Sequence, residues 1–200
     1  SELFATGSVT GASNVGGLIG ALGARDNEVT LSDAYAQGQV TGSTSVGGLL
    51  GSASAIASDA DGTLTISRVY ASGEVTGNAD SSGGLIGVGS ANSALFSSFK
   101  STLNLSQSVW DTETTGLTQS IGSSIGSGTL TNTAMGKTAA EMQNPFTFID
   151  AGFDLEGADA IWGKSRVGAN NGYMQLRSLS NNNFDDYLRN LTLTNSSKVY

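Results

Sequence analysis

The sequence predicts an all-β chain wound as a parallel β-solenoid (a β-helix), followed by a small irregular C-terminal region with one short helix. Three observations lead there. A motif recurs: FATGSVTGASNVGGLIG from Phe4, YAQGQVTGSTSVGGLLG from Tyr35 and YASGEVTGNADSSGGLIG from Tyr70. Inside each copy, small apolar residues alternate with polar ones at the period of a half-buried strand. The chain also holds 28 glycines and a single proline, so corners are easy to form and few strands are interrupted.

Each repeat offers three strand segments. The first puts Ala36, Gly38 and Val40 on one face and Tyr35, Gln37 and Gln39 on the other, and the copies from Phe4 and Tyr70 keep this alternation. The second is GGLIG, with Leu18, Leu49 and Leu85 on one side and Ile19, Leu50 and Ile86 on the other. Both sides are apolar, so both should be covered. The third carries Leu31, Ile66 and Leu105 in TLSDAY, TISRVY and LNLSQSVW. Stacked in parallel, like residues fall above like at about 4.8 Å. Phe4, Tyr35, Tyr70 and Trp110 then form an aromatic ladder, with one extra residue before Trp110 that suggests a bulge. Antiparallel hairpins are disfavoured, because the spacers lack the two-residue Asn-Gly or Asp-Gly turns that mark them.

Stretches of variable length come after GGLIG, at 21–29, 52–62 and 88–104. The last holds Leu95, Phe96 and Phe99. It is expected to fold back over the outer face of the ladder near Ile86.

These patterns divide the chain into a solenoid over 1–110 (repeats 4–34, 35–69 and 70–109), a capping or extension region over 111–183, and a linker or start of a further module over 184–200. In the second region, Thr138 and Glu141 form a capping box for a short helix that Asn144-Pro145 ends. The apolar residues Phe146, Phe148, Ile149, Phe153, Leu155, Ile161 and Trp162 are expected to cover the open end of the solenoid. SIGSSIGSGTLTNT (120–133) reads as a loop.

Composition excludes several functions. Without cysteine or histidine there is no disulfide, thiolate metal site, Ser-His-Asp triad or histidine base. A net charge of -8 argues against nucleic acid and anionic bilayers as partners, and no apolar run has the length to insert in a membrane. The opening SELFATG is no secretory leader, so a secreted chain of this sequence is expected to be a piece of something longer.

The candidate chemistry is sparse, and no catalytic residue and no cofactor are expected. Asp59-Ala-Asp61-Gly62 has the flavour of a calcium loop, but its glycine and its twelfth position do not fit an EF-hand. Asp59 and Asp61 therefore remain a surface-calcium candidate set against a plain Asp-rich turn. Asp111 and Glu113 resemble a glycosidase acid and base, but no motif places a third acid, and Asp111 reads as the cap of a turn. Trp110, Trp162 and Tyr173 are the candidates for stacking on a sugar face.

The pattern Y-A-x-G-x-V-T-G with V-G-G-L-I/L-G after it resembles the GLUG motif of large bacterial surface and secreted proteins, including filamentous-haemagglutinin-like exoproteins. The resemblance covers 4–110 in three copies. SVWDTETTG (108–116), GKTAAEM (136–142), FIDAGFD (148–154), IWG (161–163) and NNGYMQL (170–176) resemble the region downstream of such arrays in two-partner-secretion adhesins. Met174 stands where those relatives carry proline, and Lys198-Val199-Tyr200 resembles the start of a further module. The resemblance implies an extracellular, non-catalytic segment of a long fibre at the bacterial cell surface or secreted from it. It would serve adhesion or biofilm formation, with a host-cell or abiotic surface, and glycans among its ligands, as partner. The rest of the exoprotein and laterally associated copies are further partners. A carbohydrate-binding module with exposed aromatics and a polysaccharide-active β-helix enzyme are the competing readings.

Overall fold

Strand pairing follows the repeat. The computed structural model describes residues 2–94, 98–157, 159–165 and 170–179. The first coil comprises β1 (Leu3–Ala5), β2 (Val9–Thr10), β3 (Ser13–Gly16) and β4 (Ile19–Arg25). The second comprises β5 (Glu28–Ala36), β6 (Val40–Thr41), β7 (Thr44–Gly47) and β8 (Leu50–Ala57). The third comprises β9 (Gly62–Ala71), β10 (Val75–Thr76), β11 (Ser82–Gly83) and β12 (Ile86–Ser93). Each strand pairs in parallel with its counterpart one coil away, giving four faces: β1-β5-β9, β2-β6-β10, β3-β7-β11 and β4-β8-β12. The chain is an all-β parallel β-solenoid.

The faces differ from the expected three in a way the backbone explains. TLSDAY and the start of the next motif form one strand, bent at a left-handed residue. Asp33 has φ 56° and Arg68 has φ 50°, and each turns the strand so that the residues on both sides of it still face inward. Leu31 pairs with Ile66 and Ala36 with Ala71 across that bend. The Val-Thr pairs then make short strands of their own. GGL is a corner rather than a strand centre, because β7 ends at Gly47 and β8 begins at Leu50. Leu49, Leu50, Leu85 and Ile86 are all buried, as expected, but in one interior instead of on two faces. Leu18 and Ile19, in the end coil, pack against that interior from partly buried positions. Glycine is required at the corner by close approach: a Cβ on Gly47 would strike the backbone of Leu50 and, at 2.8 Å, the carbonyl of Leu85.

Much of each stretch after GGLIG is strand. Ser52–Ala57 lies in β8 and Val88–Ser93 in β12, in register with each other. Phe99 is 38% exposed rather than folded over Ile86, which faces the core. Leu95 and Phe96 lie outside the described residues. The main interior holds Leu31, Leu49, Leu50, Leu64, Ile66, Leu85, Ile86, Leu103 and Leu105. A smaller one holds Val15, Val40, Val46 and Val75, with Leu117 against it.

Coiling continues past Trp110. β13 (Ser101–Ser106) and β14 (Val109–Asp111) extend the face of β9. α1 (Thr112–Thr115) is next, then β15 (Ile121–Ile125) on β12, β16 (Thr129–Asn132) on β13 and β17 (Met135–Lys137) on β14. The segment 120–133 is therefore mostly strand. Its Ser, Thr and Gly residues match the composition of β8 and β12, and a ladder accepts them once a neighbouring strand is in place.

Trp110 also departs from its expected place. Leu105 pairs with Ile66 and Val109 with Tyr70, so Trp110 pairs with Ala71. No bulge is needed: the extra residue carries Trp110 past the ladder and into the main interior, over Gly84. Among the described residues, the aromatic stack is Phe4, Tyr35 and Tyr70.

Two short helices come next. The expected capping box of Thr138 and Glu141 opens α2 (Ala139–Met142). Asn144-Pro145 ends it and at once starts α3 (Pro145–Asp150), with Asn144 as N-cap and Pro145 in the first turn. An antiparallel hairpin of β18 (Trp162–Lys164) and β19 (Met174–Leu176) completes the described chain. Residues 184–200 lie outside it, as does the linker or further module expected there.

Candidate functional site

The repeat places Tyr35 and Tyr70 on the outer side of β5 and β9, one above the other. Their rings stack 4.9 Å apart and 1° from parallel, and Phe4 continues the stack at 5.5 Å. Two tyrosines on the outside of a coil would normally meet water. Instead the C-terminal segment lies over them. Trp162 tilts against both at 6.0 and 5.8 Å, and Phe148 meets Tyr70 edge-on at 5.6 Å. Phe153 then contacts Phe148 and Trp162, each at 5.0 Å. Met142, Met174 and Leu176 complete this second core. Of the residues expected to cover the end of the solenoid, Phe148, Phe153, Leu155, Ile161 and Trp162 brace its flank instead, whereas Ile149 lies outside this cluster and Phe146 is 68% exposed. The stacked rings of Tyr35 and Tyr70 supply the apolar face on which this segment packs.

Three polar contacts lock the brace to three successive coils. Trp162 Nε1 donates to Asp33 Oδ1 at 3.1 Å. Arg68, from the next coil, donates to the same carboxylate from Nε (2.7 Å) and Nη2 (2.8 Å), a bidentate pair. Tyr70 donates from its hydroxyl to the Met174 carbonyl at 2.7 Å and accepts from Asn170 Nδ2 at 3.0 Å. Tyr173 donates to Asp111 Oδ2 at 2.6 Å. Asp111 meanwhile caps α1, accepting from the Glu113 and Thr114 amides. Its role as a turn cap is as expected.

Electrostatics fit this locking role. Burial works to raise the Asp33 carboxyl, but the hydrogen bonds from Arg68 and Trp162 outweigh it and hold the group below its ordinary 3.8. Burial pushes the Tyr35 phenol up to about 12. Tyr173 also rises to about 12, through burial first and then through its bond to Asp111. Tyr70 is raised well above its ordinary value by burial.

The proposed sugar-stacking residues are therefore core side chains. Trp110 is 5% exposed, Trp162 0% and Tyr173 4%. Trp162 and Tyr173 come together in the brace, whereas Trp110 lies in the solenoid interior with its Nε1 donating to the Leu117 carbonyl at 2.9 Å. None presents a ring face to a ligand. The Asp-rich turn carries hydrogen bonds between coils. Asp26 Oδ1 accepts from the Ser58 and Asp59 amides of the next coil at 2.6 and 2.9 Å, and the Ser58, Asp59 and Ala60 amides hold its carboxyl below 3.8. Asp61 Oδ1 accepts from the Lys100 amide at 2.8 Å. Asp59 is exposed. Among the described residues, no three acidic groups converge as a metal would need, and no helix is long and apolar enough to cross a membrane.

Sequence reasoning missed the Asp33–Arg68–Trp162 lock. Its signal was present: TLSDAY and TISRVY put an acid and a base at the same position of adjacent repeats. No family model, no curated protein and no solved structure matches the chain.

Proposed function

We propose that this chain is a structural segment of a long bacterial fibre, secreted or displayed at the cell surface, where it acts as a stalk and as a contact surface in adhesion or biofilm formation. One observation carries the reading: coil after coil repeats in unbroken register, with Leu31, Ile66 and Leu105 in one column. Such a stack gains length without needing a larger core, which is what a spacer requires and a catalytic domain does not. The flank brace adds to it by tying three coils together at Asp33, Tyr70 and Asp111. The GLUG-like motif supports the extracellular setting, and we assign the segment no catalysis.

The test is binding of the purified chain to a broad glycan array and to abiotic surfaces, alongside single-molecule pulling along the coil axis. Phe146→Ser and Phe99→Ser are the controls, since both side chains are exposed and neither belongs to a described core. The stalk reading expects high unfolding force and no selective glycan. Saturable binding of one glycan, lost in either variant, would instead make this a recognition module.

A further inference from the structure

The first coil keeps a glycine that nothing in the structure requires. In the second coil, a Cβ on Gly38 would collide with the backbone carbonyl of Gly7 above it. In the third, a Cβ on Gly73 would collide with the carbonyl of Gly38, and would come within 2.8 Å of the Gln37 carbonyl. The glycine therefore exists to let the preceding coil approach. Gly7 holds the same repeat position, yet a Cβ there would meet nothing within 4 Å. Its φ is not left-handed either.

Two independent features of the same face agree. The Gln37 amide donates to the Ala5 carbonyl, and the Ser72 amide to the Ala36 carbonyl, each at 3.0 Å. The Thr6 amide, at the equivalent position, has no such acceptor among the described residues. Apolar ladder positions that are closed in the second coil are also open here. Phe4 is 45% exposed where Tyr35 is 3%, and Leu3 is 41% exposed where its partner Ala34 is 0%.

We propose that the face formed by β1 to β4 is a stacking interface for one further coil of this same repeat class. That coil would wind in parallel and in register, and would present a backbone carbonyl over Gly7 and an acceptor to the Thr6 amide. The coil-on-coil contacts already made twice in this chain define its geometry. The inference deepens the stalk reading and rests on it only for the direction of elongation, since glycan binding would not alter any contact named here.

The test uses the full chain and an extended chain in which residues 35–69 are duplicated and joined directly ahead of Phe4. Gly7→Ala should leave the Tm of the full chain unchanged. In the extended chain it should lower Tm, as Gly38→Ala should in the full chain. Hydrogen exchange at the Thr6 amide should slow by about tenfold or more in the extended chain. Equal effects of Gly7→Ala in the two chains, or an unprotected Thr6 amide in the extended one, would overturn the proposal. So would concentration-dependent association of the full chain that protects Thr6, because the occupant would then be a second copy.

Discussion

Ser82 sits in a column of valines. It pairs with Val46, which pairs with Val15, and these line the smaller interior with Val40 and Val75. Ser82 is 4% exposed, and its hydroxyl has no hydrogen-bond partner among the described residues. An unpaired hydroxyl in such a site costs about 1–3 kcal/mol. Valine in its place would also bury additional methyl surface, at about 0.8 kcal/mol per group. Against this stands crowding, of the order of 1–3 kcal/mol in a tight core. Gly77 flanks Ser82 as Gly42 flanks Val46, so the pocket already accepts a valine one coil away. Ser82→Val should therefore stabilise the chain by about 1–2 kcal/mol, a Tm rise of about 2–8 °C for a chain of this size. Urea unfolding followed by the fluorescence of buried Trp110 and Trp162 would read it, with an unchanged m-value. Ser82→Ala isolates the hydroxyl. If Ser82→Ala costs more than about 1 kcal/mol, the hydroxyl is paired and the reasoning fails. If alanine stabilises and valine does not, the valine column does not extend to the third coil.

Three further outcomes are expected. Gly47→Ala should destabilise by about 3 kcal/mol or more in the same urea assay, because the new Cβ meets backbone that cannot rotate away. Tyr70→Phe keeps the ring stack but loses the bond to Met174, so it should cost about 1–2 kcal/mol and speed hydrogen exchange in β18 and β19 before β5 and β9. Stability should fall at both extremes of pH in thermal melts. The Asp33 carboxyl lies below its unfolded 3.8, so its contribution is present above that value and is lost as pH falls through the folded one. The Tyr35 and Tyr173 phenols lie at about 12 against 10.0 unfolded, so their contribution is full below pH 10.0 and is lost as pH rises toward 12.

The repeat made the solenoid legible because identical residues must stack for the ladder to form. The columns through Leu31, Leu50 and Tyr35 could be read directly from alignment of the copies. Three things could not. The bend at Asp33 and Arg68 depends on a left-handed backbone that asparagine or glycine would have advertised more plainly, so one strand read as two. Trp110 was placed by matching aromatic to aromatic, but register is set by the whole strand, and Leu105 under Ile66 fixed it one residue away. The strands β15 and β16 lack the apolar alternation that marks a strand in isolation, since their hydrogen bonds go to partners already formed. The brace was legible as an apolar, capped, helix-bearing segment. Its docking place was not, because a ladder of tyrosines on the outside of a coil looks the same in sequence whether it faces water or a partner.

The brace also constrains how the gene can change. In a solenoid each repeat contacts only its neighbours, so a unit can in principle be added or removed without remaking the core. Here the anchors at Asp33, Tyr70 and Asp111 lie on successive coils. Deleting or inserting one unit between them would shift an anchor by a full rung of about 4.8 Å, enough to break every hydrogen bond made there. Copy number is therefore constrained between residues 33 and 111, the span that the three anchors bridge.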